Sequence, residues 1–133
     1  MEVVKQLAVF VANKPGTLAA ICGNLSDRDI GIQGLAVSDA RDHAVLRLVV
    51  DDAPKAIHVL GESGVLVLDS DIIKVTLLNE MGQMATLGRV LSEGGVNIEY
   101  AYGGLSADDE SGTLYLKVTD VDKARKTLGE MGI

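Results

Sequence analysis

Asparagine and glycine stand three positions apart in two turns of this chain: Asn13 and Gly16 in NKPGTL, Asn79 and Gly82 in NEMGQM. Each set follows an apolar run and precedes a helix-like run. The first turn of a helix leaves backbone N–H groups without intrahelical acceptors, and the macrodipole adds partial positive charge there. Such a place holds a small anion or a carboxylate. A glycine, lacking a Cβ, lets a ligand or another backbone come close. An asparagine beside the turn supplies a donor and an acceptor, and its carbonyl can accept from an ammonium group. The chemistry on offer is that of holding a carboxylate with an amino group nearby. The same residues also make an ordinary strand-to-helix turn, because Asn bonds local backbone and Gly relieves crowding.

The two turns belong to a longer repeat. A shift of 66 positions sets Asn13 on Asn79, Gly16 on Gly82, Ala19 on Ala85, Leu25 on Leu91, Ser26 on Ser92 and Ile32 on Ile98 without a gap. Apolar type is kept at Leu18 and Met84, Ile21 and Leu87, and Ile30 and Val96. A period of this length indicates two copies of one supersecondary unit.

Each copy must supply elements that place its turn. Residues 4–12 are Val-rich and alternate as a strand does. Leu18, Ile21, Cys22 and Leu25 fall on one helical face. IQGLAVSD and HAVLRLVVD read as hairpin strands around the polar turn Ala40 to Asp42. Pro54 opens a second helix, Gly64 closes it, and VLVLDSD is a fourth strand. The second copy follows with IIKVTLL, a helix marked by Met84, Leu87 and Leu91, the strands VNIEYAY and TLYLKVT, and a helix capped by Asp120. Its closing strand is short or absent. The order β-α-β-β-α-β is the split βαβ, ferredoxin-like unit. The predicted fold class is α+β: two such units in tandem, residues 1–70 and 71–133, with antiparallel sheets and helices on one face. Units this small bury only about 60% of their unfolded surface, which favours pairing and a homodimer.

Other chemistries find little support. His43 and His58 lie outside any metal-ligand spacing, and one cysteine, Cys22, rules out both an intrachain disulfide and a thiolate cluster. Cys22 reads as a small core hydrophobe on its helix. Asp69, Asp71 and the Asp108 to Glu110 run read as solvated acidic turns, so no metal or other cofactor is expected. No P-loop and no G-x-S-x-G elbow is present. The net charge of −7, with Lys and Arg scattered, argues against nucleic acid, which requires a basic stripe. No apolar run reaches membrane length, and the N-terminus lacks a basic, cleavable leader, so a cytoplasmic protein is expected.

NKPGTLAAICGNLSDRDIGI resembles the signature of the ACT domain, a regulatory module that binds amino acids, and NEMGQMATLGRVLSEGGVNIEY is similar to it again. The resemblance spans nearly the whole chain as a tandem pair. It implies a non-catalytic sensor whose amino acid ligand lies at an interface between two ACT domains. The ligand would touch Asn13, Lys14, Pro15, Gly16, Thr17 and Leu18, or Asn79, Met81, Gly82, Gln83 and Met84. Facing the turn would be the start of a neighbour's second strand, matched here by Asn97 and Ile98. The resemblance implies that Thr17 and Leu18 offer N–H groups to the carboxylate, while Asn13 and Asn97 read the amino group. The first copy has Gly31 where the second has Asn97, so the two sites are expected to differ. Glu99 and Ala101 should face one side of the strand, and Tyr100 and Tyr102 the other, so Glu99 or a tyrosine could line the pocket. The alternative is a regulatory or assembly subunit of an amino-acid metabolic enzyme, working mainly by protein contact.

Overall fold

The computed structural model describes residues 1–104 and 106–133, and for Ala40 the backbone only. The chain divides into two compact units. One is Lys5–Ser70, and the other joins Met1–Val4 to Asp71–Ile133.

The first unit contains β1 (Glu2–Ala12) from Lys5 onward, α1 (Thr17–Asp27), β2 (Ile32–Ala40), β3 (His43–Val50), α2 (Ala53–Glu62) and the start of β4 (Leu66–Leu78). Its strands lie in the order β2-β3-β1-β4. Register sets Leu7 opposite Leu48 and Leu48 opposite Leu35, so these three share a face. Leu7, Val9 and Val11 of β1 and Leu46 and Leu48 of β3 are buried with Ile21 and Leu25 of α1 and Ala56, Val59 and Leu60 of α2. Both helices therefore cover one face of the sheet. The predicted helical face is narrower than its periodicity implied. Ile21 and Leu25 are buried, whereas Leu18 is 42% exposed and Cys22 only half-buried. Two residues carry the α1 packing, and Leu18 and Cys22 turn toward its rim.

The second unit contains the rest of β4, α3 (Gln83–Glu93), β5 (Ile98–Gly104), β6 (Ser111–Val118) and α4 (Val121–Glu130). Its strand order is β5-β6-β4-β1, the same arrangement as in the first unit. Ile73, Val75 and Leu77 of β4 pack with Leu87, Val90 and Leu91 of α3 and with Ala124 and Leu128 of α4. Met84, placed on the helical face by its spacing, is instead 47% exposed, and Val90 takes the core position.

Two strand assignments change. VLVLDSD and IIKVTLL are one uninterrupted strand, β4. No glycine, proline or turn separates them, and the chain passes from one unit to the next in extended conformation. The closing strand of the second unit comes from the start of the chain. Met1–Val4 occupies the position that the end of an ordinary unit fills, Met1 and Val3 pack against the second core, and Glu2 pairs with Lys74 at 3.3 Å.

Helix termini repeat with the sequence. In α1 the Ile30 N–H donates to the Leu25 carbonyl and the Asp29 N–H to the Ser26 carbonyl. In α3 the Val96 N–H donates to the Leu91 carbonyl and the Gly95 N–H to the Ser92 carbonyl. This is the Schellman pattern, and the second residue after each cap, Ile30 or Val96, is buried in the same core as Leu25 or Leu91 of the last helical turn.

Candidate functional site

The twin turns match bond for bond. Gly16 and Gly82 both hold φ 87°, the left-handed region that glycine enters without a Cβ penalty. The Asn13 N–H donates to the Asp42 carbonyl at 2.9 Å, and the Asn79 N–H to the Glu110 carbonyl at 2.8 Å. Ala20 closes the first helical bond onto the Gly16 carbonyl at 3.0 Å, and Thr86 onto the Gly82 carbonyl at 2.9 Å. Neither helix has a side-chain cap. The other two do: Asp52 accepts from the Lys55 N–H in α2, and Asp120 accepts from the Lys123 N–H in α4. The Leu18 and Ala19 N–H groups, like Met84 and Ala85 in the second unit, have no acceptor within their helix. Beside them the Thr17 hydroxyl is buried without a hydrogen-bond partner among the described residues.

Both asparagine side chains brace the turn. Asn13 Nδ2 donates to the Arg41 carbonyl at 3.0 Å, tying the turn to the β2–β3 hairpin. Asn79 Nδ2 donates to the carbonyls of Ser106 and Asp109, at 3.0 and 2.8 Å. With the amide nitrogen so used, Oδ1 is the end that can accept from an ammonium group. Lys14, Pro15 and Gly16 are exposed, as are Glu80 and Met81. Gln83 Nε2 reaches Glu80 Oε2 at 3.4 Å.

Asn97 and Ile98 come together in a depression of about 390 Å³, lined also by Gly88 and Ser92 of α3 and by Gly95 and Val96 of the loop that follows. None of the described residues lining it is charged, but Lys123 Nζ stands 2.8 Å from where a Cβ on Gly95 would lie. Gly88 lies six residues beyond Gly82, about 9 Å of helical rise. The second unit's own turn and its depression are therefore separate features. Sequence reasoning passed over Gly88, Ser92 and Gly95. A signal existed: a glycine inside a helix costs about 1 kcal/mol relative to alanine, and the repeat sets Gly88 against Cys22.

The start of the second strand differs between the units for a visible reason. The Asp51 N–H donates to the Gly31 carbonyl and the Thr119 N–H to the Asn97 carbonyl, each at 3.0 Å. The return bond runs from the Gly31 N–H to Asp51 Oδ1 at 3.0 Å, and from the Asn97 N–H to Thr119 Oγ1 at 3.1 Å. A Cβ on residue 31 would stand 2.8 Å from Asp51 Oδ2. The aspartate carboxylate thus occupies the space where a side chain at residue 31 would begin, while Thr119 makes the matching bond beside an asparagine.

Strand alternation is broken at Glu99. Ile98 pairs with Val118 but Tyr100 with Lys117, so a bulge falls on Glu99, as one falls on Gln33 in the first unit. Beyond it, Ala101 lies opposite core residue Leu116, whereas Tyr100 and Tyr102 face away from the helices. Tyr102 stacks on its cross-strand partner Tyr115 with ring centroids 5.3 Å apart. Tyr100 is thereby on the face opposite the one that Ile98 shares with the core.

The profile of the ACT domain pair matches residues 1–131. The chain belongs to the ACT domain pair family. Among solved structures, this ACT pair is similar to protein BT0572 from Bacteroides thetaiotaomicron. The two share 28% identity at a TM-score of 0.92, over 98% of this chain and 89% of that one. It is also similar in fold to the regulatory subunit of aspartate kinase from Thermus thermophilus, with 17% identity, TM-score 0.71 and coverage of 98% and 97%. The corresponding subunit from Thermus flavus gives 18% identity, TM-score 0.62 and coverage of 98% and 96%. Comparison with curated protein sequences gives no match. No helix among the described residues of the ACT pair is long and apolar enough to cross a membrane.

Proposed function

We propose that this ACT pair is a non-catalytic regulatory protein that binds a free amino acid, and that the ligand lies where the Asn97 depression meets a strand-to-helix turn of another ACT unit. The observation that carries the reading is the contrast in capping. α2 and α4 spend an aspartate on their first turn, while α1 and α3, behind the repeated turns, do not. Of the two N–H groups expected to meet the carboxylate, that of Thr17 donates to the Lys14 carbonyl at 3.4 Å, so those of Leu18 and Ala19 suit an α-carboxylate, and the carbonyl ends of Asn13 and Asn97 suit the amino group. The buried Thr17 hydroxyl is a further group awaiting a partner. Because turn and depression are separate features of the second unit, the proposed site draws its turn from a second chain, in keeping with a homodimer. The ligand acts by favouring one arrangement of ACT units over another. The aspartate kinase subunits of similar fold are themselves regulatory, a likeness of fold alone.

A second reading has its own support. Leu78, Met81 and Met84 are exposed around the second turn, and methionine suits an adaptable protein contact. On that reading the protein is a regulatory or assembly subunit of an amino-acid metabolic enzyme.

Thermal unfolding against each common amino acid at millimolar concentration separates the two. A ligand at 100 times its Kd stabilises by about 2.7 kcal/mol, a rise of several degrees for a chain of this size. No rise with any amino acid, combined with co-purification of a large enzyme, would replace the sensor by the contact subunit.

A further inference from the structure

We infer that the second turn, residues 79–84, together with the tip of the β5–β6 hairpin, is a docking surface for another protein, and that the segment it receives is amphipathic with a lysine- or arginine-rich polar side. The inference rests on the contact reading of that turn and deepens it, and it holds whether or not the protein binds an amino acid.

The repeat separates what the turn needs from what it carries in addition. Both turns have the same backbone, with φ 87° at Gly16 and at Gly82. The first is built with Ala12, Pro15 and Leu18, and the equivalent positions of the second are Leu78, Met81 and Met84. These three stand on successive tight turns, closed by the Glu80 N–H on the Leu78 carbonyl at 2.9 Å and the Gln83 N–H on the Glu80 carbonyl at 3.4 Å. Leu78 is 55% exposed, Met84 47%, and Met81 wholly so. The first unit makes the same turn without a leucine at its start or a methionine at its tip, so the turn does not require them. Their contact with water is unfavourable, and the apolar side of a partner relieves it. Methionine, unbranched and polarizable, adapts to such a surface.

Charge reverses between the turns as well. Glu80 stands where the first turn has Lys14, and the hairpin tip carries Asp108, Asp109 and Glu110 where the first has Arg41 and Asp42. Residues 79–84 and 106–111 thus hold four carboxylates and no Lys or Arg, against two cations and one carboxylate in residues 13–18 and 40–43. The acidic tip is fixed to the turn. The Asn79 N–H donates to the Glu110 carbonyl, and Asn79 Nδ2 to the carbonyls of Ser106 and Asp109. Apolar side chains therefore stand beside a held row of like charges, whose field favours cations on whatever covers them. A second copy of the chain meets this surface poorly. Its helix α4 carries Lys123, Arg125 and Lys126, but turns its apolar residues Ala124 and Leu128 into the second core. An amphipathic segment of another protein, with aliphatic anchors and a basic polar side, supplies both halves of the match.

Fluorescence anisotropy on the full chain tests this with three labelled helical peptides of equal length. All share one leucine pattern, and their remaining positions are lysine, glutamine or glutamate. The lysine peptide is expected to bind at least about tenfold more tightly than the other two, and salt should weaken it. Met81→Ser combined with Met84→Ser should weaken it at least about tenfold, the loss of central apolar anchors. Glu80→Lys combined with Asp108→Lys should do the same and flatten the salt dependence. Asp27→Lys combined with Glu130→Lys changes net charge equally at distant exposed positions, and Pro15→Ser combined with Leu18→Ser alters the first turn; neither should weaken binding more than about twofold. Circular dichroism and the melting temperature report that each variant is folded, and the charge pair carries the test if the methionine pair is not. Equal weakening by the distant charge pair would overturn the inference in favour of attraction by net charge. Tighter binding of the glutamine or glutamate peptide would overturn the basic partner and leave a contact surface at this turn. Binding of none of the three would overturn the docking surface itself. Sedimentation velocity adds one outcome: a salt-sensitive oligomer that the Met81 and Met84 substitutions dissociate would give the surface to a second copy and overturn the inference.

Discussion

Asp29 and Gly95 end equivalent helices in the same left-handed conformation, at φ 59° and 75°. Each is the residue after the cap in a Schellman turn, and only one of the two is the amino acid that position favours. The first unit carries a conformational cost that the second avoids. Aspartate tolerates the left-handed region better than most residues, yet still at a penalty of about 1 kcal/mol. Asp29→Gly should accordingly raise unfolding free energy by about 0.5–1 kcal/mol. Urea denaturation with an unchanged m-value would register the gain. An equal or lower midpoint would mean that the Asp29 side chain earns its place by other contacts.

The asparagine braces differ in number, and stability should follow. Asn13 makes one side-chain bond to its hairpin and Asn79 makes two, all at exposed sites. A neutral bond contributes about 0.5–1.5 kcal/mol net. Asn79→Ala is expected to cost about 1–2 kcal/mol and Asn13→Ala about half of that. Equal losses in parallel denaturation curves would contradict the bracing role assigned to the Asn79 amide.

Removing Met1–Val4 should loosen the second unit. The deletion takes away Met1 and Val3 from its core and the Glu2 partner of Lys74. Amide hydrogen exchange in Asp71–Leu78 is expected to quicken, because that stretch loses its neighbouring strand. Protection factors unchanged over those residues would show that the sheet does not depend on the N-terminal strand.

Two glycines of the second unit should respond in opposite directions. A Cβ on Gly103 would lie 2.2 Å from the Thr113 carbonyl oxygen, at φ 125°, so Gly103→Ala forces backbone to move. A loss of about 2 kcal/mol or more is expected from strain and disturbed pairing with β6. Gly88→Ala meets open space in mid-helix and should gain about 0.5–1 kcal/mol from helix propensity. Melting temperatures of the two variants should bracket that of the parent protein, and a drop for Gly88→Ala would show that the bare wall is structurally required.

Much of the architecture could be read locally. The repeat of 66 residues, the βαββαβ order, the glycine turns and the Asp120 cap all depend on residue type and near spacing, which act through backbone sterics and short-range hydrogen bonds. Residue type also marked Asn97 as the place where the two copies part company. What local pattern left undecided was every property that depends on distant partners. Leu18 and Met84 satisfy the helical period and still stand exposed, because burial is set by what packs opposite and not by spacing alone. A turn was expected within VLVLDSDIIKVTLL because a unit should end there, but the chain stays extended through β4. Met1–Val4 belongs to a unit whose other residues begin at Asp71, a pairing across the length of the chain that no window of sequence contains. The glycine at residue 31 is explained by Asp51, twenty positions away, and the opening at Gly88 exists because no other side chain fills it. Composition and periodicity determined which elements form. Long-range packing decided which faces they bury, which strand completes which sheet, and where space remains for a ligand.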